Sequence, residues 1–206
     1  MIINKYNMND KKTAWFNEDI LPTDMIKGAT GENGWARLEY TEHFKIINDF
    51  ISSLKVLKMA DIGCGAGELG RVLHNINYIG FDLPHIIDKV SKVVNPNLNY
   101  SEFNADMFNY EVLKEFDLIV CNGFISELNN PIEVLNKLIE NTSEYLLIHR
   151  QFFSDETNFS EYNTYGNLPT IRTHIGFDEF KKLLINHKII NQVNNVWGDT
   201  ILIKKI

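Results

Sequence analysis

Residues 60–70 read ADIGCGAGELG, and four glycines fall within this one short span. So many positions without a side chain make neither a core strand nor a stable helix. The stretch is a loop that lets backbone come close to something. The apolar KMADIG before it suits a short buried strand, and GELGRVLHNI after it a helix opened by the loop. A strand–glycine loop–helix unit sets backbone amides and a helix N-terminus at the carboxyl edge of a parallel sheet, where such sheets bind ligands. Two spacings coexist in it. Gly65, Gly67 and Gly70 match Gly-x-Gly-x-x-Gly, the dinucleotide fingerprint. Asp61, Gly63, Gly65 and Gly67 give acid-x-Gly-x-Gly-x-Gly. A pyrophosphate wants the positive end of the helix and no anion nearby, yet Asp61 and Glu68 flank this loop. The carboxylates favour a ligand with positive charge and no phosphate.

Working outward, strands and helices alternate. NYIGFDL is a second strand, PHIIDKVSKVV a helix with Pro84 in its first turn, LNYSEFN a third strand and YEVLKEF a short helix. DLIVCNGF, the proline-started helix NPIEVLNKLIEN and YLLIHRQF follow, then a long loop from Phe152 to Ile175 and the helix FDEFKKLLINH. KIINQVNNVW and DTILIKKI close the chain. Their connection is too tight for a parallel return and demands an antiparallel hairpin. Upstream, WARLEYTEHFKIINDFISSL spaces its apolar residues as an amphipathic helix, and KGATGENG reads as a mobile loop. The fold expected is α/β: a doubly wound, mostly parallel seven-stranded sheet with an antiparallel last strand. Residues 1–54 form an N-terminal lid and helix, and 55–206 the ligand-binding domain.

With 206 residues the chain has room for one well-buried domain. A formal charge of −7 opposes broad attraction to nucleic acid or anionic lipid. No apolar run approaches a membrane span, and MIINKYNMNDKK holds no secretory core. The two cysteines, Cys64 and Cys121, have neither metal-knuckle nor disulfide-framework spacing, so a reducing, cytoplasmic setting is expected and both are read as packing residues.

The run ADIGCGAGELG, then YIGFDL, then NADMF, then FDLIVCNGF resembles, in order, the four cofactor segments of class I S-adenosylmethionine-dependent methyltransferases, and the closing hairpin is also that fold's. The resemblance spans residues from about 56 to 206. It implies S-adenosylmethionine as cofactor. Gly63, Gly65 and Gly67 would let backbone pass under its methionine part, and Asp61 would orient the loop and the ammonium end. Asp82 would accept both ribose hydroxyls, a geometry that suits the two oxygens of a carboxylate. Leu83 would lie on the adenine face. Asp106 would take the adenine amino group, with Met107 giving an amide and an apolar wall. Asn122, Gly123 and Phe124 would border the sulfonium and the nucleophile, and Trp35, Arg37 and Tyr40 would fold over the cofactor from the other side.

Methyl transfer from a sulfonium is an in-line displacement, so the protein aligns the partners and, for a hydroxyl acceptor, removes a proton. His149, near the end of YLLIHRQF, is the first candidate base and His174 the second, with His43 beside Tyr40 a third. The 152–175 loop, rich in aromatic residues, reads as a substrate cover. Arg150 or Arg172 would meet a carboxylate or phosphate. CNGF replaces the Asn/Asp-Pro-Pro-aromatic tetrad of relatives acting on exocyclic amines or amides, and the acidic ligands of metal-dependent relatives are missing. No metal, nucleic-acid or membrane partner is therefore expected. The acceptor expected is a small hydroxylated metabolite, such as a sugar or sugar-nucleotide precursor of a surface polysaccharide. The rival readings are an NAD-dependent oxidoreductase and a non-catalytic S-adenosylmethionine-binding protein.

Overall fold

Val120 and Leu118 face one side of the central strand while Ile119 and Cys121 face the other, and all four are fully buried. A strand covered on both faces reads as a continuous apolar run, which is why the DLIVC stretch was legible. In the computed structural model, which describes residues 12–32, 34 and 36–206, this strand is β4 (Leu118–Asn122). Beside it lie β1 (Lys58–Ile62) and β5 (Tyr145–Gln151), and then β2 (Asn77–Asp82) and β3 (Asn99–Glu102). β9 (His187–Val193) and β10 (Asp199–Lys205) complete a sheet of order β3-β2-β1-β4-β5-β10-β9. β10 runs antiparallel to both β5 and β9, and the remaining pairs are parallel. The expected architecture and closing hairpin are both present.

One face of the sheet carries helix α2 (Glu42–Ser52), whose Ile47, Phe50 and Ile51 pack on Met59, Leu118, Val120 and Leu147. Thr41 accepts the Phe44 N–H through its hydroxyl and so starts this helix later than the apolar spacing suggested; Leu38–Tyr40 is a separate turn. The short α3 (Glu68–Val72) follows the glycine loop. α4 (84–94), with a π-helical middle turn at Ile87–Ser91, follows β2. The other face is covered by α5 (Pro131–Glu140) and α6 (Phe177–Lys182), where Leu135, Leu138 and Phe180 meet Ile119, Leu146 and Ile148. Each such buried side chain contributes about 1.5–3 kcal/mol of transfer free energy.

Two segments read as loops are ordered elements. Lys27–Thr30, expected to be mobile, is the last turn of helix α1 (Ile20–Thr30), closed by Gly31 in the left-handed region at φ 81°. Pro22 sits in its first turn, where an N–H has no partner to lose. Leu21, Met25 and Ala29 bury this helix against Ala66 of the glycine loop and Ile86 and Val90 of α4. Within the 152–175 stretch, β6 (Phe153–Ser154), β7 (Asn158–Asn163) and β8 (Pro169–Gly176) form a small sheet instead of a long loop. The tip of its β7–β8 hairpin is latched to α1: Gly166 N–H donates to Asp24 Oδ2 at 2.6 Å.

Candidate active site

A cavity of about 810 Å³ lies at the carboxyl edge of the sheet, floored by the loops after β1, β2, β3 and β4 and roofed by α1 and the β7–β8 hairpin. Its first half is built around the glycine loop. Gly63 has φ 74°, and an added Cβ would fall 2.4 Å from Cδ2 of Phe124, so only glycine lets these two loops touch. Asp82, at the end of β2, accepts the Gly65 N–H on Oδ2 and the Leu83 N–H on Oδ1, each at 2.7 Å. From α4, Ser91 Oγ donates to the Gly65 carbonyl at 2.6 Å, and Asn95 Nδ2 donates to that of Ala66 at 2.8 Å. The loop is thereby fixed before any ligand arrives.

Asp61 is buried beneath this loop. Its Oδ2 accepts from Tyr78 Oη at 2.9 Å, while Oδ1 is buried without a hydrogen-bond partner among the described residues. Burial pushes its carboxyl up to about 7, and the neighbouring Asp82 charge adds to this. Burial also raises Asp82, to about 6, against the pull of its two backbone donors. Asn122 Oδ1, at the end of the neighbouring β4, is likewise buried and unpartnered among the described residues. Orphaned acceptors around a cavity are what a ligand with donors and positive charge would satisfy.

The second half is lined by His43, Arg150, Phe152, Tyr162, Arg172 and Trp197, with Glu127 between them. Tyr162 Oη donates to Glu127 Oε2, Ser126 Oγ donates to Oε1 at 3.2 Å, and Arg172 Nε stands 3.8 Å from Oε1. The Arg172 guanidinium is sandwiched between the Phe152 and Tyr162 rings, 4.4 and 4.2 Å from their centroids. His43 lies 5.6 Å from His149 and 6.3 Å from Trp197, centroid to centroid. Burial, reinforced by the Arg150 charge, brings its pKa down to about 4, so the ring is neutral.

Of the residues singled out from the sequence, Asp61, Gly63, Gly65, Asp82, Leu83, Asp106, Asn122, Gly123 and Phe124 all line this cavity. Six others do not. Gly67 caps α3 at φ 72° against the Tyr100 hydroxyl, a packing position. Met107 is 84% exposed on a separate surface groove, and its N–H is already bonded to the Asn104 carbonyl. Arg37 and the largely exposed Tyr40 stand outside the cavity wall. His174 bonds Ser160 Oγ through Nε2 on the lid. His149 is fully buried beneath His43, with Nδ1 on Thr200 Oγ1 at 2.8 Å. Burial above all brings its pKa down to about 3, and with no surface on the cavity the ring belongs to the core. Of the three histidines, His43 alone reaches the cavity; Trp35 lies outside the described residues. Cys64, read as packing, reaches the wall, where burial pushes its thiol well up and leaves it inert. Glu127 and Trp197 were missed. An acid between apolar neighbours in FISEL was the one available signal for the former.

A sheet of this order, with a glycine loop after the first strand and one antiparallel strand next to the last, is the Rossmann-like methyltransferase fold. The family model described as methionine biosynthesis protein MetW matches residues 41–164, more than half of the chain, and the chain belongs to that family. No curated protein sequence matches it. Among solved structures, the chain is similar to CalS10, an amino pentose methyltransferase from Micromonospora echinaspora solved with S-adenosylmethionine bound. The TM-score is 0.61 at 10% identity, over 82% of this chain and 94% of that one. An S-adenosylmethionine-dependent methyltransferase from Mesorhizobium loti gives 0.60 at 11% identity, over 82% and 100%. The N-terminal domain of EvdMO1, crystallised with S-adenosylhomocysteine and D-fucose, gives 0.55 at 10%, over 81% and 83%. At such identities the likeness is one of fold.

Proposed function

We propose that the protein is an S-adenosylmethionine-dependent methyltransferase acting on a hydroxyl of a small metabolite, such as a sugar or sugar-nucleotide precursor of a surface polysaccharide, in the cytoplasm. The observation that carries this reading is the continuity of the cavity from Asp61, Asp82 and the glycine loop to His43 and the aromatic lid. The cradle fits the cofactor: backbone passes without side chains at Gly63 and Gly65, Asp82 retains lone pairs for the ribose, and Asp61 Oδ1 awaits a cationic donor. Leu83 and Ala105 supply apolar wall for a base, with Asp106 beside them. Asp61, Asp82 and Asp106, with no lysine or arginine paired to them among the described residues, suit a sulfonium nucleoside better than the pyrophosphate of NAD. The amino-pentose methyltransferase and the fucose-bound domain among its structural neighbours support a sugar acceptor.

When bound, the cofactor supplies an electrophilic methyl group and its own leaving group. The chain then has to align the acceptor and receive a proton. His43 is neutral, so one of its two ring nitrogens carries a lone pair to take that proton. The β7–β8 hairpin and α1 exclude water from the transfer. Residues 1–54 act as a cover over the domain of residues 55–206, the part described including the Lys12–Phe16 turn, α1, the Leu38–Tyr40 turn and α2.

Calorimetry with S-adenosylhomocysteine and with NAD tests the binding half of the reading: affinity for NAD alone overturns it. Release of S-adenosylhomocysteine from S-adenosylmethionine, driven by the small-molecule fraction of a cell extract, tests catalysis. Tight cofactor binding without such turnover would favour a non-catalytic binding protein.

A further inference from the structure

β5 and β10 fall out of step at one place. Ile148 pairs with Ile201 and Gln151 with Asp199, so His149 and Arg150 together oppose the single residue Thr200. This is a β-bulge, a device that re-aims side chains and is common beside active sites. His149 keeps to the side of Leu147 and packs against His43 of α2. Arg150 takes the extra position with φ 60°, in the left-handed region that arginine rarely occupies. Holding a residue with a Cβ there costs about 1–2 kcal/mol.

The surroundings are cleared for this arginine. A Cβ on Gly198 would fall 2.9 Å from the carbonyl carbon of Arg150, and one on Gly123 would fall 3.4 Å from its Cζ. The half-buried guanidinium lines the acceptor half of the cavity near His43. Among the described residues it makes no ion pair and donates no hydrogen bond. Arg172, the other arginine of the cavity, differs in having Glu127 at 3.8 Å and two ring faces. The carboxylates Asp61, Asp82 and Asp106 lie in the glycine-loop half. Glu42 and Glu127 line the other half, yet neither forms an ion pair with Arg150, so among the described residues this guanidinium is an unanswered cation at the acceptor end.

We propose that Arg150 seats an anionic group of the acceptor, a carboxylate or a phosphate, so that the enzyme selects acidic sugars or sugar phosphates over neutral ones. This rests on the methyltransferase reading and names its substrate class. A guanidinium offers a planar fork of donors that matches either anion with two parallel bonds. A bound anion would also offset the positive charge that Arg150 presents to His43, making that ring a better proton acceptor when the acceptor is in place.

The test uses the full chain saturated with S-adenosylhomocysteine, titrated calorimetrically with D-glucose, D-glucuronate and D-glucose 6-phosphate. The expected result is that one or both anionic sugars bind at least about tenfold more tightly than glucose. A preference for glucuronate identifies a carboxylate, and one for the phosphate ester a phosphate. Arg150→Gly, which suits the left-handed backbone and so preserves the fold, removes the preference; Arg150→Lys keeps part of it. Both variants bind S-adenosylhomocysteine as the wild type does. Equal affinity for the three sugars, binding of none, or a preference that survives in Arg150→Gly overturns the proposal. So does loss of S-adenosylhomocysteine affinity in Arg150→Gly, which would assign the arginine to the cofactor's carboxylate. Failure of the wild type to bind S-adenosylhomocysteine sinks the methyltransferase reading itself and is seen before any sugar is added.

Discussion

Asp82 reaches from the end of β2 to the loop after β1 and holds the Gly65 N–H at 2.7 Å. One carboxylate therefore shapes the glycine loop and, in the function proposed above, also holds the ribose diol. Asp82→Ala removes both functions, and S-adenosylhomocysteine affinity should fall by about 1.5–3 kcal/mol in calorimetry. Asp82→Asn, which keeps one acceptor oxygen, should lose less. An unchanged dissociation constant in Asp82→Ala would remove the ribose role.

Asp61 makes the protein's stability depend on pH in a definite sense. Its carboxyl ordinarily titrates near 3.8 and is raised to about 7 in the fold. Between those values the folded chain holds a proton that the unfolded chain has released, so stability falls as pH rises through the window. Asp61→Asn has no proton to lose. Its ligand-free stability relative to wild type should therefore increase by on the order of 1–3 kcal/mol between about pH 4 and about pH 8. His43 and His149 titrate in the opposite sense over an overlapping range, which is why the difference between the two proteins is the quantity to follow in urea melts. A flat difference would show that Asp61 is not held neutral in the empty fold.

His149 belongs to the core. Its replacement by alanine leaves a cavity under His43 and an unpaired Thr200 hydroxyl, at a cost of about 2–4 kcal/mol near neutral pH. Its folded pKa, about 3, lies below the ordinary 6.5, so the stability it contributes is present above about 6.5 and lost as pH falls toward 3. The penalty of His149→Ala should accordingly shrink on acidification, while S-adenosylhomocysteine affinity stays at the wild-type level. His43→Ala should instead lower turnover by roughly a hundredfold. A reversed pattern in the two variants would return His149 to the chemistry.

The way these histidines divide shows what the sequence conveyed and what it withheld. The sheet and the glycine loop were legible because strands buried on both faces are continuously apolar and because Asp61, Asp82 and Asp106 stand on successive strand ends. The bulge was not, since nothing in YLLIHRQF marks the place where alternation stops, so His149 was read as facing the site and Arg150 could not be told from Arg172 as the partner of an acceptor anion. β7 was hidden by an inverted pattern: Phe159 is half exposed, while the polar Ser160 and Tyr162 turn inward toward β8 and Glu127. α1 was obscured because Pro22 and Gly28 lower its intrinsic propensity and its stability comes from packing on α4.

Gly63 separates backbone freedom from close approach. Gly63→Ala meets both a φ of 74° and the Phe124 ring at 2.4 Å, and should cost at least about 2 kcal/mol with loss of S-adenosylhomocysteine binding. Gly34→Ala, at φ 81° with nothing within 4 Å of the added Cβ, carries the backbone cost alone. Equal urea midpoints for the two variants would mean that the contact with Phe124 does not restrict the loop.

The latch between Asp24 Oδ2 and Gly166 N–H joins the two roofs of the cavity, and Ile20 fills the space beside the same glycine, its Cγ2 2.2 Å from where a Cβ on Gly166 would stand. A single charge-assisted bond at a cavity rim contributes little to global stability but much to how long the roof stays shut. Asp24→Ala should leave the urea midpoint within about 1 kcal/mol of wild type while amide exchange in β7 and the hairpin tip speeds up about tenfold. S-adenosylhomocysteine, which the proposed function places under α1, should then dissociate faster from the variant. Exchange confined to wild-type rates would mean that this bond does not limit opening and that the packing of Tyr165 and Leu168 on α1 holds the hairpin tip instead.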